Sequence, residues 1–302
     1  MNACLLGALN DTLWLPGSAD WGGDNFDGYR GYAPPFTSMD MMAYAHSNAI
    51  ALSRTSVLQG NRSGQLLWEA KAARVAAALK RVLWDPARSA CYDRDSTGKT
   101  IDVLMHNNLR AMWHGAFDQS MADAFVNDHL VNRAEFWTPM PLPSIAANDP
   151  RFVPGDPSNN WSGAPEGLTY QRAIRALENY GHHAEVSLLG PKLLTAIGRS
   201  MTFPQQWCAQ LYNGTPAGAA GRGDCYGPSA LSALEYIALS RGIKIRPADG
   251  HLLWSSLDTP ALGNETALSN DIYTQRLGDS VFTLRSSSAS PEGEGEFEGK
   301  AI

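Results

Sequence analysis

The chain has 302 residues, 44% of them hydrophobic, which is enough to bury one large core or two modest ones. Its formal net charge of −6, with Lys and Arg scattered, forms no basic stripe. That argues against nucleic acid and anionic membrane surfaces as partners and for a neutral or weakly charged ligand. No run reaches the roughly 18 apolar residues of a membrane span, and MNACLLGALN lacks the cationic start of a secretory signal.

In chain order, the first long segment runs from Pro16 to Pro35 and is rich in Gly, Asp and aromatic residues. Its Asp20, Asp24 and Asp27 lie among Trp21, Tyr29 and Tyr32. Carboxylates beside aromatic walls suit acid-catalysed glycoside hydrolysis, in which an acid is held near the leaving oxygen and apolar surroundings raise its pKa. A plain aspartate-rich turn is the competing reading. The spacing is not that of a calcium loop, and no metal or other cofactor is expected.

Helical periodicity follows. Ser38 to Leu58 and Arg62 to Trp84 read as two helices broken at Gly60 and Ser63, the second ended by Asp85-Pro86. His106 to Phe117 and Ser120 to Leu130 read as a second pair. Gly167 to Tyr180 and His183 to Arg199 read as a third, joined at Tyr180-Gly181, with a kink or break expected at Gly190-Pro191. Ser229 to Ser240 is one further helix.

Between the pairs, Glu135 to Pro165 and Phe203 to Pro228 are long irregular connections like Pro16 to Pro35. Loops of this length usually carry function, and all three are expected at one end of a helical barrel. Asn159-Asn160-Trp161-Ser162-Gly163-Ala164-Pro165-Glu166-Gly167, downstream of Phe136-Trp137-Thr138-Pro139, gathers the aromatic, amide and acidic groups that bind polyhydroxylated ligands. A surface connection anchored by Trp161 is the alternative.

After Arg246, His251-Leu-Leu-Trp-Ser, Ile272 to Leu277 and Val281 to Arg285 read as short strands with a hairpin turn at Gly278-Asp279-Ser280. The expected organisation is therefore 1–245 helical, 246–286 a small β appendage and 287–302 a disordered acidic tail.

Cys208 and Cys225 flank a Gly-rich loop, leaving open a disulfide or two buried thiols. Asn10, Asn61, Asn160, Asn213 and Asn264 head glycosylation tripeptides, a weak pointer to a secreted or lumenal parent. The adjacent His182 and His183 point in different directions on a helix and make a poor metal pair.

Asp20-Trp-Gly-Gly-Asp24-Asn25, Met39-Asp40-Met-Met-Ala-Tyr44, Leu83-Trp84-Asp85-Pro86, Phe136 to Ser144, Asn160-Trp161-Ser-Gly163 and Tyr170 to Gly181 resemble the six-hairpin glycosidase clan. That clan contains trehalases, processing α-glucosidase I and the mannosylglycerate or glucosylglycerate hydrolases. The resemblance implies an (α/α)6 toroid and an inverting α-glycosidase acting on a small α-glucoside, α-mannoside or oligosaccharide. It puts Asp24 at the general acid, with Asp20 where the clan usually has Glu.

The chain departs from the clan in three ways. Ser162 stands where many members have Arg. The segment matching the clan's basic Glu offers Gln205, Gln206 and Gln210, and an amide cannot accept the water proton. The acidic substitutes are Glu166 and Asp224, with Glu166 placed at a helix start where a carboxylate also favours the macrodipole.

Finally, about seven or eight helices are countable where six hairpins need twelve, so the chain reads as beginning inside the domain. Trp21, Asn25, Tyr29, Trp137, Asn160, Trp161, Gln206 and Trp207 are the expected sugar contacts, with Asp24 and Glu166 the expected acid and base. The rival functions are a carbohydrate-binding pseudoenzyme or gene fragment and, more distantly, a polysaccharide lyase.

Overall fold

The structure is a computed structural model. It describes residues 36–153, 162–209 and 226–239 with their side chains, together with the backbone of residue 240 and of short strands elsewhere. Two compact units divide the chain, Met1–Ala233 and Leu234–Ile302.

The first unit opens with an antiparallel pair, β1 (Ala8–Asn10) and β2 (Leu13–Trp14). Helices α1 (Met39–Leu58) and α2 (Arg62–Leu83) follow, then the two-residue strands β3 (Trp84–Asp85) and β4 (Ala90–Cys91). Next come α3 (Asn107–Trp113) and α4 (Gln119–Phe125), which runs into a π-helical turn at Val126–Leu130. Helices α5 (Gly167–Glu178) and α6 (His183–Ser200) precede β5 (Gln206–Trp207), β6 (Leu211–Tyr212), β7 (Thr215–Pro216) and β8 (Ala219–Ala220). Strand β5 pairs with β8 and β6 with β7. Helix α7 (Gly227–Ser240) crosses the boundary between the units.

Local chemistry sets the helix ends. Ser38 is extended and its hydroxyl accepts from the Asp40 amide at 3.2 Å, starting α1. Gly60, at φ +68, reverses the chain, and Asn61 caps α2 by accepting from the Gly64 amide at 2.9 Å. Asp118 caps α4 through the Met121 amide, so the helix starts at Gln119, one residue earlier than the sequence suggested.

Helix α6 runs from His183 to Ser200 with Pro191 inside it, so of the kink or break expected there no break occurs. Its buried residues Val186, Leu189, Leu193 and Ala196 keep one apolar stripe on both sides of the proline, so packing carries the helix across the lost hydrogen bond.

The helices occupy two layers. Helix α1 packs on α3 and α3 on α5, while α2 pairs with α1 and α6 with α5. Exposure follows: α2 buries one stripe, Ala72, Val75, Ala78, Leu79 and Leu83, whereas every residue of α3 from Asn107 to Met112 is buried. Nested hairpins with alternate helices inward are the construction of an (α/α)6 toroid, and the fold class is all-α, with these helices forming part of such a ring.

Short turns, such as 59–61 and 179–182, join inner to outer helices. The long connections at 84–106, 131–166 and 201–226 all deliver the chain to the N-terminal end of the next helix.

In the second unit, β9 (Ile243–Arg246) and β10 (His251–Trp254) form a hairpin, and β11 (Ile272–Leu277), β12 (Ser280–Arg285) and β13 (Glu296–Ala301) form an antiparallel sheet. Strand β13 lies in the stretch expected to be disordered. Its register sets Glu296 opposite Arg285 and Phe297 opposite Leu284.

Candidate active site

Glu166 is the last extended residue before α5, with φ −120 and ψ 142, and is 2% exposed. Its carboxylate makes no capping hydrogen bond to the helix behind it. Instead Gln206 Nε2 donates to Glu166 Oε1 at 3.2 Å. Two residues forty positions apart meet because β5 runs antiparallel to Pro165–Gly167. The Trp207 amide donates to the Pro165 carbonyl at 3.0 Å, and the Gly167 amide to the Gln205 carbonyl at 3.1 Å. Since the amide donates, Oε1 is the acceptor, a role a carboxyl oxygen fills in either protonation state.

The surroundings are fastened to this strand crossing. Tyr170 donates its hydroxyl to the Pro141 carbonyl at 2.7 Å, the Gly163 amide donates to Ser144 Oγ at 2.8 Å, and the Met140 amide donates to the Ala209 carbonyl at 3.2 Å. Between two prolines, Leu142 sits at φ +65, a strained conformation for a residue with a branched side chain, while its amide donates to the Phe136 carbonyl at 2.9 Å.

Trp207 is 0% exposed and meets Tyr170 edge-on, with centroids 6.4 Å apart. It is enclosed rather than presenting an open ring face, because β5 threads between α5 and the Pro-rich segment. Trp137 is half-buried.

A charged seam that sequence reasoning missed runs between the inner helices. Arg110 Nη1 donates to Asp40 Oδ2 at 2.7 Å, with the two side chains 9% and 4% exposed. Burial opposes the Arg110 charge, but Asp40, then Tyr44 and Glu166, outweigh it and raise its pKa. Arg172 is lowered, by burial first and by Arg110 second. Its guanidinium lies 5.4 Å from the centre of the Trp113 ring, and its Nε and Nη1 have no hydrogen-bond partner among the described residues.

Neighbouring histidines stay neutral. Burial, with Arg110 and Arg172, holds His106 well below its ordinary value, and burial and the same two arginines bring His114 to about 4. Asn107, wholly buried, also has no partner for its amide among the described residues. The signal that could have found this seam is spacing: Asn107, Arg110 and His114 recur at i, i+3 and i+7, a polar stripe on a helix that otherwise reads as core.

Of the residues expected from sequence, the structure brings together Glu166, Gln206 and Trp207. Trp21, Asp24, Asn25, Tyr29, Asn160 and Trp161 lie outside the described residues, as do Gln210, Asp224 and Cys225. Among the described residues no three His, Cys, Asp or Glu side chains gather as a metal centre, and no helix is long and apolar enough to cross a membrane.

The family model for the mannosylglycerate hydrolase MGH1-like glycoside hydrolase domain matches residues 11–205. The mannosylglycerate hydrolase of Thermus thermophilus, solved in complex with Tris, is similar over 68% of this chain and 45% of its own, at 19% identity and TM-score 0.54. Neutral trehalase Nth1 from Saccharomyces cerevisiae is similar over 72% of this chain and 40% of its own, at 13% identity and TM-score 0.55. A sialidase structure is similar over 93% of this chain and 25% of its own, at 14% identity and TM-score 0.66. The chain thus spans less than half the length of these structures, and the likeness to them is one of fold. No curated protein matches it. Because the family model covers well over half of its 302 residues, the chain belongs to the mannosylglycerate hydrolase MGH1-like glycoside hydrolase family.

Proposed function

We propose that this glycoside hydrolase domain cleaves a small α-glucoside or α-mannoside with inversion, Asp24 serving as general acid and Glu166 as general base. The observation that carries the reading is Glu166 itself. A carboxylate 2% exposed at a helix start would ordinarily cap the helix, yet this one turns to an amide donor on another segment. Burying a charge is costly unless it is paired and hydrogen-bonded, and groups buried at that cost concentrate at functional sites. Inverting hydrolysis needs such an acceptor, set roughly 6.5 to 9.5 Å from the acid to leave room for water.

Trp21, Asn25, Tyr29, Trp137, Asn160, Trp161 and Gln206 are the proposed sugar contacts, while Trp207, enclosed against Tyr170, supports β5 from behind. For the division of the chain we keep 1–245 as the catalytic domain and 246–286 as its β appendage.

The test is hydrolysis of α-glucosides, α-mannosides and trehalose, followed by ¹H NMR of the first anomer released. Asp24→Asn and Glu166→Gln should each lower turnover by roughly two to four orders of magnitude while ligand-induced thermal stabilisation persists. A wild-type chain that binds sugar without cleaving it would identify the pseudoenzyme, in which the glutamine-rich segment 205–210 marks a lost base. Activity that survives Glu166→Gln would remove Glu166 from the mechanism.

A further inference from the structure

His129 lies on the π-helical turn that ends α4, and both of its ring nitrogens are engaged. Nδ1 is 2.7 Å from Glu135 Oε2, and Nε2 is 2.6 Å from the Arg88 carbonyl oxygen. A carbonyl can only accept, and an ionised carboxylate can only accept. A neutral imidazole carries one N–H and so satisfies one of the two; only imidazolium donates to both.

The ring thereby joins three segments: the π turn, the β3–β4 turn at Arg88, and the start of the long connection 131–166. The last is the segment that leads to Glu166. Glu135 continues the link, because its Oε1 accepts from Asn148 Nδ2 at 3.4 Å and its carbonyl accepts from the Ala147 amide at 3.1 Å. His129 and Glu135 are each 13% exposed at the side chain, so solvent screens the contact weakly.

From this geometry we infer that His129 is a pH-sensitive clamp, which as imidazolium fastens the root of the 131–148 segment to the α4 π turn and to the β3–β4 turn, and which loses one of its two ties on deprotonation.

The charged groups around the ring support the assignment. Glu135 faces it directly and Asp128 lies on its own turn; both favour the cation. On the β3–β4 turn the Arg88 guanidinium is directed elsewhere, to Asp85 at 2.7 Å, to Asp102 at 2.5 Å and over the Tyr92 ring at 3.6 Å, so its charge is compensated. Tyr92 is raised to about 12, chiefly by burial, and stays a neutral phenol. Phe125 supplies an apolar wall, with ring centroids 5.8 Å apart. Burial works against protonation of His129, but the bonds to Glu135 and the Arg88 carbonyl outweigh it and raise its pKa. A raised folded-state value contributes stability that is fully present below the ordinary pKa of about 6.5 and is lost as the pH rises through the folded one. His46, His106 and His114 are all lowered, so they remain neutral through that window.

The experiment is ¹H–¹³C NMR titration of the His129 ring in the full chain, together with melting temperatures from pH 5 to 9, for wild type, His129→Gln and Glu135→Gln. The His129 midpoint should lie at least about half a unit above 6.5 and move down in Glu135→Gln, whose amide keeps the shape without the charge. The wild-type melting temperature should fall between pH 6.5 and 8.5, and in His129→Gln that decline should flatten. A midpoint at or below 6.5, a midpoint unmoved by Glu135→Gln, or parallel melting curves for wild type and His129→Gln would each overturn the clamp. If His129→Gln does not fold, the two titrations decide alone. Sugar hydrolysis enters none of these readouts, so they stand or fall apart from the proposed activity.

Discussion

Cutting the Asp40 and Arg110 pair tests whether the charged seam holds the inner helices together. The contact is 2.7 Å long, spans seventy residues and lies almost wholly out of water. At such a site, removing one partner of an ion pair strands the other and costs about 3 to 5 kcal/mol, whereas replacing both with apolar residues is often close to neutral. The structure orders the two single variants. In Arg110→Met the stranded Asp40 carboxylate still feels Arg172, so the loss should sit near the lower end, about 3 kcal/mol. In Asp40→Leu two guanidinium groups that already repel one another remain, with Glu166 left to offset them, so the loss should approach about 5 kcal/mol. The double variant Asp40→Leu/Arg110→Met should lose less than either single one. Urea denaturation followed by Trp fluorescence and far-UV circular dichroism measures all four proteins. Additive losses, or single variants within about 1 kcal/mol of wild type, would refute the reasoning, because surface pairs behave that way and buried ones do not.

Three further outcomes are expected. Gly167→Ala places a Cβ 1.9 Å from Ser229 Oγ and 2.9 Å from Ser229 Cα, so α5 and α7 must separate. A loss of about 1 to 3 kcal/mol is expected in thermal melts, relieved in part by Ser229→Gly. Pro191→Ala should stabilise α6, by up to about 3 kcal/mol, because the helix already continues through this position; a lower melting temperature would contradict that. Asp118 has its pKa lowered to about 2, since Lys80, Ser120 and the Met121 amide overcome the effect of burial. A depressed carboxylate contributes stability above its unfolded value of about 3.9 and loses it as the pH falls towards 2. Asp118→Asn should therefore keep the cap but flatten acid unfolding between pH 4 and 2, whereas Asp118→Ala should cost about 0.5 to 2 kcal/mol at neutral pH.

Much of the helical framework is legible in the sequence, because a helix is bounded by local chemistry. Ser38, Gly60 and Tyr180-Gly181 act within a turn of their own positions: α1 begins one residue after Ser38, α2 two residues after Gly60, and α5 ends two residues before Tyr180. The pairing of α1 with α2 and of α5 with α6 follows from turn length, and the nomination of Glu166 and Gln206 follows from the resemblance to the clan. Only the tertiary structure decided the rest. Periodicity reports that a face is turned inward without saying what it meets, so Arg110 and Arg172 read as ordinary helix positions until Asp40 and Trp113 are set against them from other parts of the chain. The passage of α6 through Pro191 and the two-sided engagement of His129 have the same origin. In each case a local preference, for a broken helix or a neutral imidazole, is overruled by partners that arrive from distant sequence and whose packing and hydrogen bonds outweigh it.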